Sequence, residues 1–185
     1  MSDSEVLFIG GRSGVGKTSA AAALHVLLTG LDVRHAVIEG DTLDLAHPAP
    51  WEHGHDLAAR NLAAIWGNYR AIGHRRLVYT NTVAVLEAHH LSAAMGDDPQ
   101  VVGVLLLADD TTAARRLSGR EQGAELERSI AKSAAAAARL DRDAGADVHR
   151  LDTSGRTPDQ VAVELLALTG WASTGQVGPR RDPTH

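Results

Sequence analysis

The tightest constraint on this chain lies in its first thirty residues. Val6-Leu7-Phe8-Ile9 is a short continuous apolar run that ends in glycines, the pattern of a strand buried on both faces. Residues 17 to about 29 then read as a helix, with four alanines at 20–23, followed by Leu24, Leu27 and Leu28 and stopped by Gly30. Between strand and helix stands Gly11-Arg12-Ser13-Gly14-Val15-Gly16-Lys17-Thr18, which fits the spacing G-x-x-x-x-G-K-[ST] in the strand-before, helix-after context that it requires. Glycines at these places let backbone N–H groups converge on phosphate oxygens at a helix N-terminus. Lys17 would reach the β/γ-phosphates and Thr18 would place its hydroxyl on Mg²⁺.

The strand–helix alternation continues. Arg34 to Ile38 reads as a second strand ending in Glu39-Gly40-Asp41, and a polar, Pro-containing stretch leads into a helix from about Asp56 to Ile72. Leu77 to Thr80 is a third strand, followed by a helix over Val83 to Ala94. Val101 to Leu107 is the most apolar strand and is expected at the centre, and Asp109-Asp110 caps a helix through Leu117. After a polar loop at 118–123, a long helix runs to about Arg142, and Asp147 to Leu151 is the last strand. Thr157-Pro158-Asp159-Gln160 is a helix start: Thr as N-cap, Pro first in the helix, Gln three residues on. Such alternation implies an α/β fold with right-handed crossovers and a parallel sheet covered on both faces. Ligands then belong at the carboxyl ends of the strands, where the polar clusters lie.

Composition narrows the class. With 44% hydrophobic and 22% charged residues the chain is globular, and with aromatics at only 3% its core must be built from Ala, Val, Leu and Ile. The absence of Cys excludes disulfides, a thiolate nucleophile and zinc-finger-type sites. A net charge of -5 argues against a general nucleic-acid binder. No apolar run approaches the roughly 18 residues of a membrane span, and the start, Met1-Ser2-Asp3-Ser4-Glu5, is acidic and polar. We therefore expect a cytoplasmic protein with neither nucleic acid nor membrane as partner. Residues 1–171 read as one domain, and the Gly-, Pro- and Arg-rich tail at 172–185 is expected to be disordered. The oligomeric state is not readable.

Absences narrow the nucleotide classes. No Asn-Lys-x-Asp guanine-reading sequence occurs, and a dinucleotide-binding G-x-G-x-x-G would need glycine where Ser19 stands. On its motifs and order of elements the chain, over about residues 5–170, resembles the nucleoside monophosphate kinase-like branch of P-loop proteins. That branch includes adenylylsulfate, gluconate and shikimate kinases and chloramphenicol phosphotransferase. The resemblance implies a three-layer P-loop fold with a five-stranded parallel sheet in the order 2-3-1-4-5 and a small lid at about 118–128. It implies ATP held by Gly11, Arg12, Ser13, Gly14, Val15, Gly16, Lys17, Thr18 and Ser19, with Mg²⁺ at Thr18 and Asp41. Glu39-Gly40-Asp41 is similar to the acidic turn that these kinases place opposite the phosphate loop. Asp41 would there orient or deprotonate the acceptor hydroxyl, with Glu39 beside it. Arg60-Asn61 is similar to an acceptor-contacting Arg-Asn pair. Arg116 and Arg120, and next Arg128, match lid arginines that neutralise the transferring group, with Lys17 and Asp41 completing the catalytic set. Thr153, Ser154 and Gly155, within Asp152 to Arg156, match the adenine-holding turn. The third strand departs from the pattern: it ends in Thr80-Asn81-Thr82, with no carboxylate.

The resemblance implies an ATP-dependent small-molecule kinase, with phosphoryl transfer to the hydroxyl of a small acceptor. Two alternatives stay open: a nucleotide kinase with a phosphate acceptor, for which Arg60, Arg70, Arg75 and Arg76 are the candidate anion ligands, and a nucleotide switch acting through a protein partner. His47, His53 and His55 suit the polar lining of an acceptor pocket better than a metal site. Trp66 and Tyr69, three residues apart, are placed to flank a ring-bearing acceptor.

Overall fold

The computed structural model describes residues 3–119 and 121–174. Five strands are joined by helices: β1 (Glu5–Gly10), α1 (Lys17–Gly30), β2 (Ala36–Glu39), α2 (Leu57–Ala71), β3 (Arg76–Thr80), α3 (Ala88–Met95), β4 (Gln100–Leu107), α4 (Asp110–Ser118), α5 (Gly123–Asp143), β5 (His149–Asp152) and α6 (Pro158–Thr169). The sheet is parallel throughout, in the order β2-β3-β1-β4-β5. Both the fold class and the strand order agree with the expectation.

The alternation of β1 explains the layers. Leu7 and Ile9 face one side, where they pack with Ala20, Ala21, Leu24 and Leu28 of α1 and Val161 and Leu165 of α6. Val6 and Phe8 face the other, against Leu62 and Trp66 of α2, Leu91 of α3 and Tyr79 of β3. Leu140 of α5 joins that second face through Val85, Leu105 and Val148. Small alanines on α1 let the helix lie close to the sheet, so a chain poor in aromatic rings still fills its interior. Trp66 is buried completely, within this core rather than beside an acceptor.

Three local departures have local causes. The third helix begins at Ala88, not Val83, because Asn81 turns the chain first: its Oδ1 accepts from Val83 N at 2.8 Å and its carbonyl from Ala84 N at 3.3 Å. That turn sends Val85 into the core beside Gly10. The second strand begins at Ala36, after His35 has turned its Nδ1 to the Val33 carbonyl at 2.8 Å. At the far end Trp171 is buried with its indole N–H on Glu5 Oε2 at 2.7 Å, and a 3-10 turn covers Trp171–Thr174. The rest of the tail expected to be disordered lies outside the described residues. The Thr157 cap forms as expected, as a complete capping box with Gln160.

Candidate functional site

Because β1 is flanked by β3 on one side and β4 on the other, the chain switches direction across the sheet at its carboxyl end, where α/β sheets open a crevice. The loop at 11–16 fills that position. Its start is pinned to the sheet edge by Gly11 N on the Thr82 carbonyl at 3.0 Å. Gly14 has φ of +81°, and a Cβ there would lie 2.6 Å from the Ala113 carbonyl of α4, so the loop can pack this closely on α4 only as glycine. Gly16 is the N-cap of α1 and supplies no side-chain cap. The first-turn amides of α1 therefore keep their donor capacity for an anion.

The loop is braced from behind. Arg12 is only 5% exposed; its Nε donates to Ser133 Oγ of α5 at 2.8 Å, and its Nη1 donates to the Asp110 carboxylate of α4. The Ser133 hydroxyl in turn donates to the Ser13 carbonyl at 2.8 Å. Arg116 braces the other side: its Nη1 donates to the Val15 carbonyl at 2.7 Å and to Thr153 Oγ1 at 3.0 Å, and its Nη2 to the Thr153 carbonyl at 3.1 Å. Thr153 is itself buried, with its hydroxyl 2.9 Å from the Val15 carbonyl. Lys17 Nζ donates to the Gly11 carbonyl at 2.8 Å.

A cavity of about 520 Å³ opens over this loop. Ser13 to Ser19 line one side, with Arg116 and Thr153, and Asp41 stands on its wall with Lys17 and Thr18. Asp41 follows β2, and its Oδ1 accepts from the backbone N–H of Thr82 at 3.3 Å. The segment after β3, which lacks a carboxylate of its own, thus contributes a peptide dipole that aims one. Glu121, in the segment expected as the lid, and Arg156, in the turn matched to the adenine-holding position, also line the cavity, together with Leu117, Pro158 and Val161, which carry no role in the sequence reading. Arg156 is held by Glu164 at 2.7 Å.

Other assigned residues fall elsewhere. Gly11 and Arg12 support the loop without lining the cavity. Ser154 and Gly155 lie in the turn before α6, where Ser154 Oγ accepts from Asp109 N at 3.2 Å. Ser154 N donates to Asp152 at 2.9 Å, and this bond first of all holds the Asp152 carboxyl below its ordinary range. Glu39 lines a second cavity of about 370 Å³ at the β2 edge, which also touches Thr18, Tyr69 and a pair of histidines. In that pair His25 Nδ1 and His35 Nε2 are 2.8 Å apart. Asn61 donates to the Leu43 carbonyl and so ties α2 to the segment after β2, while Arg60 and Arg128 are exposed. Arg120 lies outside the described residues. His47, His53 and His55 are exposed, and among the described residues no group of three or more potential ligands could hold a metal by itself.

No protein-family model and no curated sequence matches this chain. Solved structures do match. A tunicamycin resistance protein from Deinococcus radiodurans superposes with a TM-score of 0.62 at 24% identity, over 90% of this chain and 96% of the other. A gluconokinase from Sinorhizobium meliloti gives 0.58 at 18%, over 92% and 94%. The shikimate kinase from Acinetobacter baumannii, solved with shikimate, gives 0.53 at 16%, over 94% and 96%. This is the fold of the P-loop small-molecule kinases. In this chain the loop at 11–16 joins β1 to α1 at the carboxyl end of the sheet. Among the described residues no helix is long and apolar enough to cross a membrane.

Proposed function

We propose that this protein is an ATP-dependent phosphotransferase that moves the γ-phosphoryl group to a hydroxyl of a small molecule. The observation that carries the reading is the Asp41 carboxylate on the wall of the same cavity as Lys17, Thr18 and the amides that open α1. The amides and the Lys17 ammonium hold the polyphosphate. Asp41, oriented by Thr82 N, takes the acceptor proton as the acceptor oxygen bonds to the γ-phosphorus and the bond from that phosphorus to the β–γ bridging oxygen breaks, releasing ADP. Arg116 keeps the loop in shape through its hydrogen bonds while its positive charge faces the cavity. Arg120 is proposed as a second lid cation.

The donor set fits Mg²⁺. The Thr18 hydroxyl and the Asp41 carboxylate are hard oxygen ligands on one cavity, and Mg²⁺ takes few protein ligands beside phosphate oxygens and water. When bound, Mg²⁺ neutralises charge developing on the phosphate oxygens.

Placement of three of the four candidate arginines, all but the exposed Arg60, supports a hydroxyl rather than a phosphate acceptor. Arg76 binds Glu5 at 3.1 Å, and Arg75 bonds to the carbonyls of Arg70 and His74; both stand at the start of β3, the opposite end of the sheet from the cavity. Arg70, near the end of α2, is held by Asp97 at 3.1 Å. The test is γ-phosphoryl incorporation from labelled ATP into a pool of small alcohols and nucleoside monophosphates. Lys17→Ala is expected to abolish transfer, and Asp41→Asn to retain ATP binding and lose transfer by at least about 100-fold. Full activity of Asp41→Asn would remove the assigned base. ATP hydrolysis indifferent to every acceptor would favour a nucleotide switch.

A further inference from the structure

One face of α1 carries Thr18, Ala21, Ala22 and His25, spaced so that they stack one above the other along the helix. That face and the edge strand β2, through Ala36 and Val37, enclose the second cavity, of about 370 Å³. Ligand pockets run from roughly 300 to 1,000 Å³ and are lined mainly by apolar and aromatic side chains with a few polar groups. The alanines at 21, 22 and 36 create the space, since longer side chains there would fill it.

Three rings wall this cavity: His25, His35 and Tyr69. The histidine pair is locked by its own bonds. The Val33 carbonyl can only accept, so His35 Nδ1 donates to it at 2.8 Å, and His35 Nε2 accepts from His25 Nδ1, also at 2.8 Å. Burial first of all holds the His35 imidazole below its ordinary range, which keeps the uncharged form that this pattern needs. The two ring centroids are 5.0 Å apart with planes tilted by 59°. Tyr69 is set edge-on against His74, with centroids 5.5 Å apart. Rings fixed in this way are walls already in place for a flat group, with little ordering left for binding to impose. The polar end of the cavity lies toward the first one: Thr18 lines both, and Glu39, which lines the second, stands two residues before Asp41. Among the described residues no ion pair is made to Glu39.

We propose that this second cavity seats the ring of the acceptor, an alcohol bearing a flat unsaturated ring. A hydrogen-bond donor on the ring serves Glu39, and the reactive hydroxyl is carried on an arm past Thr18 toward Asp41. The inference rests on the phosphotransferase reading for the arm and the transfer, but not for the ring seat. A compact polyol has nothing to cover the ring faces and the alanine floor. A saturated ring covers the same area without the edge-to-face and stacked contacts that aromatic rings give one another. A carboxylate or phosphate on the ring would meet Glu39 with no counter-cation, whereas a hydroxyl or amine donates to it in a charge-assisted bond.

The test titrates the full chain by NMR, with ADP present, against benzyl alcohol, its para-amino and para-hydroxy forms, their longer-armed homologues, cyclohexylmethanol and glycerol. The same compounds are offered as acceptors of the γ-phosphoryl group from labelled ATP. The aryl alcohols are expected to bind about threefold to tenfold more tightly than cyclohexylmethanol, with the para-amino and para-hydroxy forms ahead of benzyl alcohol itself. Ala22→Leu fills the cavity from an exposed position on α1 without entering the core. It is expected to weaken aryl binding by at least about tenfold and to leave ADP affinity unchanged. Tyr69→Leu keeps apolar bulk and is expected to lower the ratio of aryl to cyclohexyl affinity. No binding by any aryl alcohol, equal binding of cyclohexylmethanol, aryl binding untouched by Ala22→Leu, or a ratio unchanged in Tyr69→Leu would each overturn the ring seat. Aryl binding that Ala22→Leu removes, with no transfer to any bound alcohol, would leave the seat standing and remove the phosphotransferase reading. Transfer to glycerol alone, unchanged in Ala22→Leu, would do the reverse.

Discussion

Removing one hydroxyl should loosen the glycine-rich loop at 11–16 from behind. Ser133 is 2% exposed and makes two bonds at once: it accepts from Arg12 Nε at 2.8 Å and donates to the Ser13 carbonyl at 2.8 Å. In Ser133→Ala the buried guanidinium of Arg12 keeps only the Asp110 carboxylate, whose side chain is 83% exposed, as its ionic partner. A hydrogen bond to a charged group contributes about 1.5–3 kcal/mol, and a stranded buried donor adds to the loss. We expect a destabilisation of about 2–4 kcal/mol, a large part of the roughly 5–15 kcal/mol that holds a domain folded. In a chain of this size that is a fall of about 5–15 °C in Tm. Urea unfolding of wild type, Ser133→Ala, Arg12→Met and the double variant gives the coupling directly. In the Arg12→Met background there is no guanidinium to strand, so Ser133→Ala should cost less than about 1.5 kcal/mol. Equal costs in both backgrounds would show that Arg12 is not held through this hydroxyl, and a loss below about 0.5 kcal/mol in the single variant would refute the brace itself.

Two further predictions concern neighbouring parts of the site. Gly40→Ala drives a methyl to within 2.2–2.7 Å of the Tyr79 ring and hydroxyl, so a loss of about 1–3 kcal/mol in urea unfolding is expected, with transfer falling more than ATP binding; wild-type behaviour in both assays would mean that the turn and the ring are not packed as described. The His35 imidazole is held below its ordinary pKa of 6.5, chiefly by burial and then by the proton-repelling charges of His25 and His74, against the opposing Val33 carbonyl. The unfolded chain then binds the proton more readily, so this group's contribution is intact above about pH 6.5 and is lost as pH falls toward the lowered folded value. Unfolding midpoints between pH 8 and pH 5 should therefore drop on acidification less steeply in His35→Asn than in wild type, and parallel curves would contradict it.

What the chain reveals before folding is set by how local each signal is. The turn of the glycine-rich loop at 11–16 and the Thr157 cap are legible because their geometry is made by consecutive residues, set by glycine spacing and by a T-x-x-Q pattern. The layered sheet is legible because each strand and helix carries its own period. Ser133 is not, since a serine in an alanine-rich helix becomes a loop support only when α5 lies beside Arg12, 121 residues away in sequence. Arg116 is matched by resemblance to a lid arginine, but its bonds to the Val15 and Thr153 carbonyls are made only by the fold. Asn61, read by resemblance as an acceptor contact, carries a hydrogen bond to Leu43 that no spacing rule reports. Tyr79 reads as one more apolar strand residue until Gly40 is seen lying on its hydroxyl.

The donor that steers Asp41 comes from the peptide group at position 82, not from a side chain. Any residue there keeps an amide hydrogen except proline. The carboxylate's aim is thereby insulated from sequence drift at 82: quite different side chains at this point leave the acid in one orientation, with proline as the single change that severs it.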